Sequence, residues 1–242
     1  AEEPACLRAL PVLVALGGTQ VLLQGGLNPD IPFDWYLDLL REIKSRYGVH
    51  IHSFSPPEIR FFSDSFGMPV KQVLRELKAA GLDSLPGGGA EILVDRVRRL
   101  VSPGKIGADD WLDVMWRAHE VGLRGSATMV FGHVETLAER VEHLRLLRQL
   151  QDGTGGLDGV FTAFIPWPMQ PRNTSLEGKF ERATTVDYLR TLAVSRLYLD
   201  SIRNVQGGWV TEGPAVGQLA LCFGANDWGG WMMEENLSLI HI

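Results

Sequence analysis

Cysteine is almost missing from this sequence. Two are present in 242 residues, Cys6 and Cys222, and neither has a second Cys or a His close by in ligand spacing. A disulfide framework is excluded, and so is any zinc or iron–sulfur motif built within these residues alone. Both cysteines read as small buried apolar residues. Basic runs are absent as well: the net charge is −6, with the two signs interspersed. That leaves no electrostatic footprint for nucleic acid or an anionic membrane. No apolar run approaches the ~20 residues needed to span a bilayer, and no basic stretch followed by an apolar one marks a signal peptide. The expectation is a cytoplasmic protein. Paired-carboxylate, Ser-His-Asp and Cys-His arrangements are missing too, which leaves hydrolytic and nucleophilic mechanisms without support.

What the chain does have is a repeating strand-then-helix period. Residues 18–24 (GTQVLLQ) predict a buried strand, ended by Gly25 and Gly26. Residues 32–46 predict a helix with Trp35, Leu39, Leu40 and Ile43 on one face. A strand over 49–54 follows, then a helix over 69–80 that starts at Pro69, carries the stripe Val70, Val73, Leu74 and Leu77, and stops at Gly81. Beyond it come a short strand over 82–85, a helix over 109–121 and a strand over 125–131. A helix over 136–151 opens with the capping pair Thr136 and Glu139. A strand over 159–165, a helix over 185–202 and a last strand over 205–210 complete the series.

Strands therefore recur near residues 20, 50, 83, 127, 162 and 207, with long helices between most of them. Parallel strands need such crossovers, and alternating βα units imply a parallel sheet covered by helices. No glycine-rich dinucleotide fingerprint is present, which favours a barrel over a doubly wound sheet. The fold class expected is α/β: a partial (β/α)6 TIM-like barrel with its first strand missing, over residues 1–204, then the start of a C-terminal extension over 205–236. Residues 2–16 predict a helix that would cover a strand lying upstream, so the chain reads as a fragment. Residues 237–242 (LSLIHI) read as a non-native tail.

In a barrel of parallel strands the site lies at the C-terminal strand ends. Here those ends are Gln24-Gly25-Gly26, His52 through Glu58, Pro86 through Glu91, Thr128 through Gly132, and Phe164 through Trp167 with Gln170 beyond. They are rich in glycine, polar side chains and aromatics, a composition suited to a flat heteroaromatic or sugar-bearing ligand. His50 and His52, two apart on a strand, face the same way. Without a third ligand nearby they read as structural or substrate-orienting rather than metal-binding, and no metal ligands are assigned. Gly87–Gly89 has no following Lys-Ser/Thr, so a tight turn is as good a reading as a phosphate cradle. Arg96, Arg98 and Arg99 read as a solvated helix face. A cluster-free barrel that binds a nucleoside-like ligand satisfies all of this equally well.

The same loops carry a resemblance. LLQGGLNPDIPFDWYLDLL, HIHSFSPPEI, LPGGGAEILVDRVR, SATMVFGHVET, FTAFIPWPMQPRNT, WVTEGP and FGANDWGG together resemble the radical S-adenosylmethionine enzymes of the futalosine (menaquinone) pathway and their deazaflavin-forming relatives. Within that group LQDGTGG followed by FTAFIPWPMQPRNT is similar to the members that cyclise a futalosine nucleoside. The members that make aminofutalosine or the deazaflavin are the alternatives.

The resemblance implies an enzyme with a [4Fe–4S] cluster and S-adenosyl-L-methionine as cofactors, a small-molecule substrate and an electron donor. It implies cluster ligands in a C-x-x-x-C-x-x-C motif, which these residues lack, so the fragment alone is expected to be inactive. By the same resemblance Gln24, Gly25, Gly26, Glu91, Arg98 and Thr128 are expected at the cofactor. Glu91 would take its ribose and Arg98 its carboxylate. His52, Ser55, Phe131, Phe164, Trp167 and Gln170 are expected at the substrate, and Glu58 is the candidate base.

Overall fold

The computed structural model describes residues 5–171, 176–180 and 182–230; the expected tail over 237–242 lies outside them. The strands are β1 (Gln20–Leu23), β2 (His50–Ser53), β3 (Ser84–Leu85), β4 (Arg124–Phe131), β5 (Phe161–Pro168) and β6 (Asn204–Val205). The helices are α1 (Ala5–Ala15), α2 (Phe33–Arg46), α3 (Pro56–Phe66), α4 (Val70–Ala80), α5 (Asp95–Val101), α6 (Ala108–Glu120), α7 (Leu137–Gly153), α8 (Thr185–Tyr198), α9 (Trp209–Glu212) and α10 (Pro214–Cys222). The six strands form one parallel sheet in chain order, β1 to β6, and its two edges do not pair with each other. This is an open, partial TIM-like barrel. Among the described residues no helix is long and apolar enough to cross a membrane.

Alternation along each strand sorts the side chains. Ile51, Leu85, Ala127, Met129, Phe131, Phe161, Phe164 and Val205 lie in two apolar clusters with the helices. Their strand neighbours His50, His52, Ser84, Ser126, Thr128, Val130, Ile165, Trp167 and Asn204 are absent from both clusters and occupy the inner face. One cluster joins α1–α4 to β2 and β3; the other joins α6–α8 to β4, β5 and β6.

Several local expectations are corrected. Trp35 does not join the α2 stripe: it is partly exposed, while Phe33, Tyr36, Leu37, Leu40 and Ile43 are buried. Cys222 is exposed rather than buried, because it lies on the outer side of α10; the Cys6 side chain is outside the description. Residues 205–210 do not form one strand. After Val205 the chain turns at Gly207 and Gly208, whose N–H donates to the Tyr188 hydroxyl, and α9 begins. The boundary placed between residues 204 and 205 falls inside β6, which pairs with Ala163 and Phe164. Helix α3 was not expected. Its start, Ser55-Pro56-Pro57-Glu58, combines prolines in the first turn with an acid three residues past the cap.

Other signals held. Thr136 caps α7 by accepting from the Glu139 N–H, and the Glu139 carboxylate accepts the Thr136 N–H in return. Pro166 and Pro168 sit where β5 has outrun β6, so their missing N–H groups break no ladder.

Leu74 of α4 is fully buried, whereas Leu197 of α8 is 80% exposed. Leu74→Ala is expected to cost about 2–5 kcal/mol and Leu197→Ala no more than about 0.5 kcal/mol, read as shifts in the denaturant midpoint.

Candidate functional site

Because all strands are parallel, their exits gather at one end of the sheet, and there the loops interlock. Gln24-Gly25-Gly26 leaves β1. The Gly25 N–H donates to Glu58 Oε1 at 3.0 Å, and Glu58 Oε2 accepts both the N–H (2.8 Å) and the hydroxyl (2.6 Å) of Ser55. One buried carboxylate thus ties the β1 exit to the start of α3. Burial raises the Glu58 pKa, against the pull of the Ser55, Gly25 and Gly26 hydrogen bonds.

The loop Pro86 through Glu91 lies across this tie. The Gly87 N–H donates to Ser126 Oγ at 3.0 Å, and its carbonyl accepts from Thr128 Oγ1 at 2.6 Å. The Gly88 carbonyl accepts the Trp111 indole N–H at 3.1 Å. A side chain at Gly88 would meet Gln24 Nε2 at 2.6 Å, and one at Gly87 would meet the Ser126 carbonyl oxygen at 2.4 Å. The glycines serve close packing between loops, so the tight-turn reading fits the geometry. Two non-glycine residues at these exits, Phe54 (φ 60°) and Glu91 (φ 41°), hold left-handed backbone. Such strain persists only where surrounding contacts over-determine it, and it gathers at functional sites.

Glu91 ends the loop. Its carbonyl accepts from the Val130 N–H at 3.0 Å, which fixes it to β4. Oε1 accepts from Lys105 Nζ at 2.6 Å and Ser102 Oγ at 3.2 Å, while Oε2 is buried with no hydrogen-bond partner. Arg98 lies 3.7 Å from Oε2. The Arg98 guanidinium is buried and donates to the Ala90 and Ile106 carbonyls. It therefore shapes the Glu91 loop through the Ala90 and Ile106 carbonyls, a role other than the expected contact with a cofactor carboxylate.

The other expected residues divide. His52 and Trp167 face the interior, and the buried Trp167 Nε1–H has no partner among the described residues. Gln170 Nε2 donates to the Pro168 carbonyl beside them. Phe131 and Phe164 do not line the interior. Phe131 stacks on Tyr188 at 6.4 Å and lies under the Arg140 guanidinium at 4.7 Å, both on the helix side. Phe164 pairs in register with Ala127 and shares that orientation. Ser55, Thr128 and Glu58 have their polar atoms engaged in joining loops, so the structure brings them to the site as positioning groups. Glu58, with both oxygens occupied, is not a free base. Of the arginines expected on a solvated face, Arg96 forms a two-point pair with Glu139 across the surface and Arg99 is exposed.

Sequence reasoning missed several contributors. Ser126 anchors Gly87 but lies mid-strand, where nothing local distinguishes it. Lys105 reaches Glu91 across 14 residues. His133 and Glu135 follow the β4 exit and could have been found by the strand-end rule that found the others. Burial opposes ionisation of Glu135, yet the His133 ring and the Gly132 and His133 amides outweigh it and hold its carboxyl at about 2. His143 of α7 is wholly buried and accepts the Leu93 N–H on Nδ1 at 3.0 Å, two residues past Glu91. Burial first, then the Arg98 charge, lowers its pKa to about 3.

A buried carboxylate oxygen of Glu91 without a hydrogen-bond partner and the Trp167 indole N–H without an acceptor stand beyond β3 and on β5, on either side of β4, and leave hydrogen-bonding capacity for a polar ligand. The residues present do not fit an iron–sulfur cluster. The chain's two cysteines lie at positions 6 and 222, and no group of three metal-ligating side chains occurs among the described residues.

Comparison with known proteins agrees with the fold. The profile of the Radical SAM superfamily matches residues 5–147, and that of the CofH/MqnC C-terminal region matches residues 158–240. The chain is 47% identical over 237 residues to a cyclic dehypoxanthine futalosine synthase of Halalkalibacterium halodurans, covering 98% of this chain and 63% of that protein. It is 44% identical to an aminodeoxyfutalosine synthase of Thermus thermophilus, covering 91% of this chain and 59% of the relative. It is 41% identical to a 5-amino-6-(D-ribitylamino)uracil–L-tyrosine 4-hydroxyphenyl transferase of Methanococcoides burtonii, covering 92% and 63%. The chain thus spans about three-fifths of the length of these relatives. Among solved structures, methylornithine synthase (PylB) superposes with a TM-score of 0.66 at 19% identity, covering 87% of this chain and 56% of that one. The hydrogenase maturase HydG superposes with 0.69 at 17%, covering 91% and 47%.

The buried histidine makes stability depend on pH. His143 titrates near 6.5 when unfolded and near 3 when folded, so below pH ~6.5 the unfolded chain binds a proton the folded one refuses. Stability is expected to fall as pH drops from 6.5 toward 4.5, before most carboxylates titrate. His143→Gln should reduce the slope of that limb in a pH series of urea melts, with His52, lowered to about 4, supplying the remainder.

Proposed function

The chain belongs to the radical SAM superfamily, and from that premise we propose that the protein is the cyclase that converts dehypoxanthine futalosine to cyclic dehypoxanthine futalosine in menaquinone biosynthesis. The observation that carries the reading is the 47% identity across 237 residues to a synthase of that name. The aligned stretch includes every loop of the site described above. The reading brings with it S-adenosyl-L-methionine, a [4Fe–4S] cluster, an external electron donor and action in the cytoplasm. In this reading the cluster ligands are not among the 242 residues. When bound, S-adenosyl-L-methionine supplies the means to remove a hydrogen atom from a sugar carbon.

The residues present would do the rest. Glu91 Oε2, buried and without a donor, accepts hydroxyls of the cofactor's sugar; Lys105 and Ser102 hold its other oxygen. Gln24, Gly25 and Gly26, tied down through Glu58, form the neighbouring wall. The Trp167 indole N–H and the Gln170 amide meet the substrate from the β5 exit. The interlocked loops at the strand exits would keep the reacting atoms in register and exclude water.

Two measurements test this. Equilibrium dialysis of S-adenosyl-L-methionine against the chain should show Glu91→Ala weakening binding at least tenfold, about 1.4 kcal/mol, with Phe131→Leu near wild type. Unchanged affinity in Glu91→Ala would remove that residue from the site. Separately, these residues can replace the matching segment of the Halalkalibacterium halodurans relative. Under anaerobic, reducing conditions the chimera is expected to turn dehypoxanthine futalosine into a product two hydrogens lighter. A chimera that instead joins L-tyrosine to 5-amino-6-(D-ribitylamino)uracil would overturn the cyclase in favour of the transferase reading.

A further inference from the structure

On the inner face, below the interlocked loops, two histidines share one hydroxyl. His52 Nδ1 lies 2.6 Å from Ser84 Oγ, and His50 Nε2 lies 2.7 Å from the same oxygen. Strand register sets the pairing: His52 and Ser84 are direct partners across β2 and β3. The far nitrogen of His52, Nε2, makes no hydrogen bond to the described residues and is not enclosed. At the other end His50 is 45% exposed, with Nδ1 at 4.0 Å from Asp83 Oδ2. Asp83 is fixed by Lys44 of α2 and the Ile51 N–H. These contacts outweigh the burial that would raise its pKa and hold the carboxyl below its usual range. The other charged groups nearby are engaged elsewhere: Arg124 of β4 on the Gly159 and Leu157 carbonyls, Glu58 of α3 on Ser55 and Gly25.

A hydroxyl has one proton, so only two arrangements satisfy both contacts. In one, Ser84 donates to His52 and accepts the His50 Nε2–H. In the other, Ser84 donates to His50 Nε2 and accepts the His52 Nδ1–H. The second places the His50 Nδ1–H toward the Asp83 carboxylate and leaves a bare His52 Nε2 facing the interior. The anion favours that arrangement.

We propose that His52, Ser84 and His50 form a proton relay that takes a proton from substrate bound on the inner face and delivers it to solvent at the start of β2. His52 Nε2 accepts the proton. The His52 Nδ1 proton passes to Ser84 Oγ as the Ser84 proton passes to His50 Nε2. His50 then releases its Nδ1 proton beside Asp83. One proton enters, one leaves, and no electrons move; rotation of the Ser84 hydroxyl and return of the imidazole protons reset the chain. Burial, and then the neighbouring His50, lower the His52 pKa to about 4, so the ring is neutral at physiological pH and its Nε2 lone pair is free. As the base of a ring closure that ends in loss of a proton, the relay rests on the cyclase reading; as a proton path it does not.

The test reads the relay directly. In the 242-residue chain, long-range histidine ¹⁵N NMR should find His52 protonated on Nδ1 and bare on Nε2 at neutral pH. The His50 nitrogens should respond as His52 is titrated through about pH 4. Ser84→Ala should abolish that response and Ser84→Thr restore it. Should Ser84→Ala not fold, His50→Ala at the exposed end serves: without the His50 Nε2 acceptor, Ser84 donates to His52 Nδ1 instead, and the His52 proton should move from Nδ1 to Nε2. His52 carrying its proton on Nε2 at neutral pH, or a His50 response unchanged by Ser84→Ala, overturns the relay. In the chimera, Ser84→Ala should lower turnover on the order of a hundredfold with KM unchanged, and Ser84→Thr should recover it. If the unmodified chimera makes no cyclic product the cyclase reading falls, while the NMR result still decides the proton path.

Discussion

Two-residue alternation along six parallel strands is the constraint from which the site follows. Most of the large apolar strand residues, among them Ile51, Leu85, Met129, Phe131 and Phe164, turn outward under the helices. Facing inward are His50, His52, Ser84, Ser126, Thr128, Trp167 and Asn204, with Val130 and Ile165 among them. A closed barrel core would be filled by branched aliphatics in layers. Here the inner face is polar and the outer layer supplies the packing energy, in two clusters rather than one. That division frees the interior for binding, since no apolar cluster depends on it being filled.

A polar interior must still be rigid if it is to hold a ligand in one pose, and the loops above it supply the rigidity. Glu58 joins two exits, Ser126 and Thr128 clamp both polar groups of Gly87, and Trp111 holds the next carbonyl. Each bond is modest, but leaving a buried donor or acceptor unmade costs about 1–3 kcal/mol, so loss of one partner is felt by the whole assembly. The left-handed backbones of Phe54 and Glu91 are affordable only inside such a frame. Phe54 is held by Tyr36 and Phe62 through edge contacts at 5.8 and 5.4 Å. Glu91 is held by the Val130 N–H.

The sequence made the sheet legible because strand and helix periods are local properties. Gly81, Pro69 and the Thr136–Glu139 pair mark their elements without help from the rest of the chain. It misassigned Trp35, where helical spacing alone does not say which face the tertiary structure buries. It overran β6, because Trp209 and Val210 carry on the apolar pattern past Gly207 and Gly208, where the chain turns into α9. The strand ends gather at one end of the sheet, as the parallel order requires, yet which of their residues face inward depends on strand phase. Phe131 and Phe164 differ from Thr128 and Trp167 by an odd number of positions and therefore turn to the helices. Glu58, Ser55 and Arg98 looked like ligand contacts because they are polar and near an exit. Ser55 and Glu58 bond each other across a capping box, which is local; the further partners Gly25, Ala90 and Ile106 come from other segments that no local pattern reveals.

The two orphan atoms and the shared hydroxyl make complementary demands on one interior. Glu91 Oε2 is an acceptor lacking a hydrogen-bond donor and Trp167 Nε1 is a donor lacking an acceptor, the first beyond β3 and the second on β5. A ligand that satisfied them would be anchored at its polar edges, with its remaining surface directed down the inner face toward His52. A neutral imidazole there, rather than a cation, leaves a lone pair available and avoids an uncompensated charge in a confined space. Its link through Ser84 to an exposed partner means that accepting a proton need not leave that charge buried. The separation of anchoring groups above from a proton exit below is set by strand register, because His52 and Ser84 meet only while β2 and β3 keep their pairing. A slip of one residue would send both to the helix side and bring Ile51 or Leu85 inward, so the apolar layer that stabilises the fold also fixes the polar path through it.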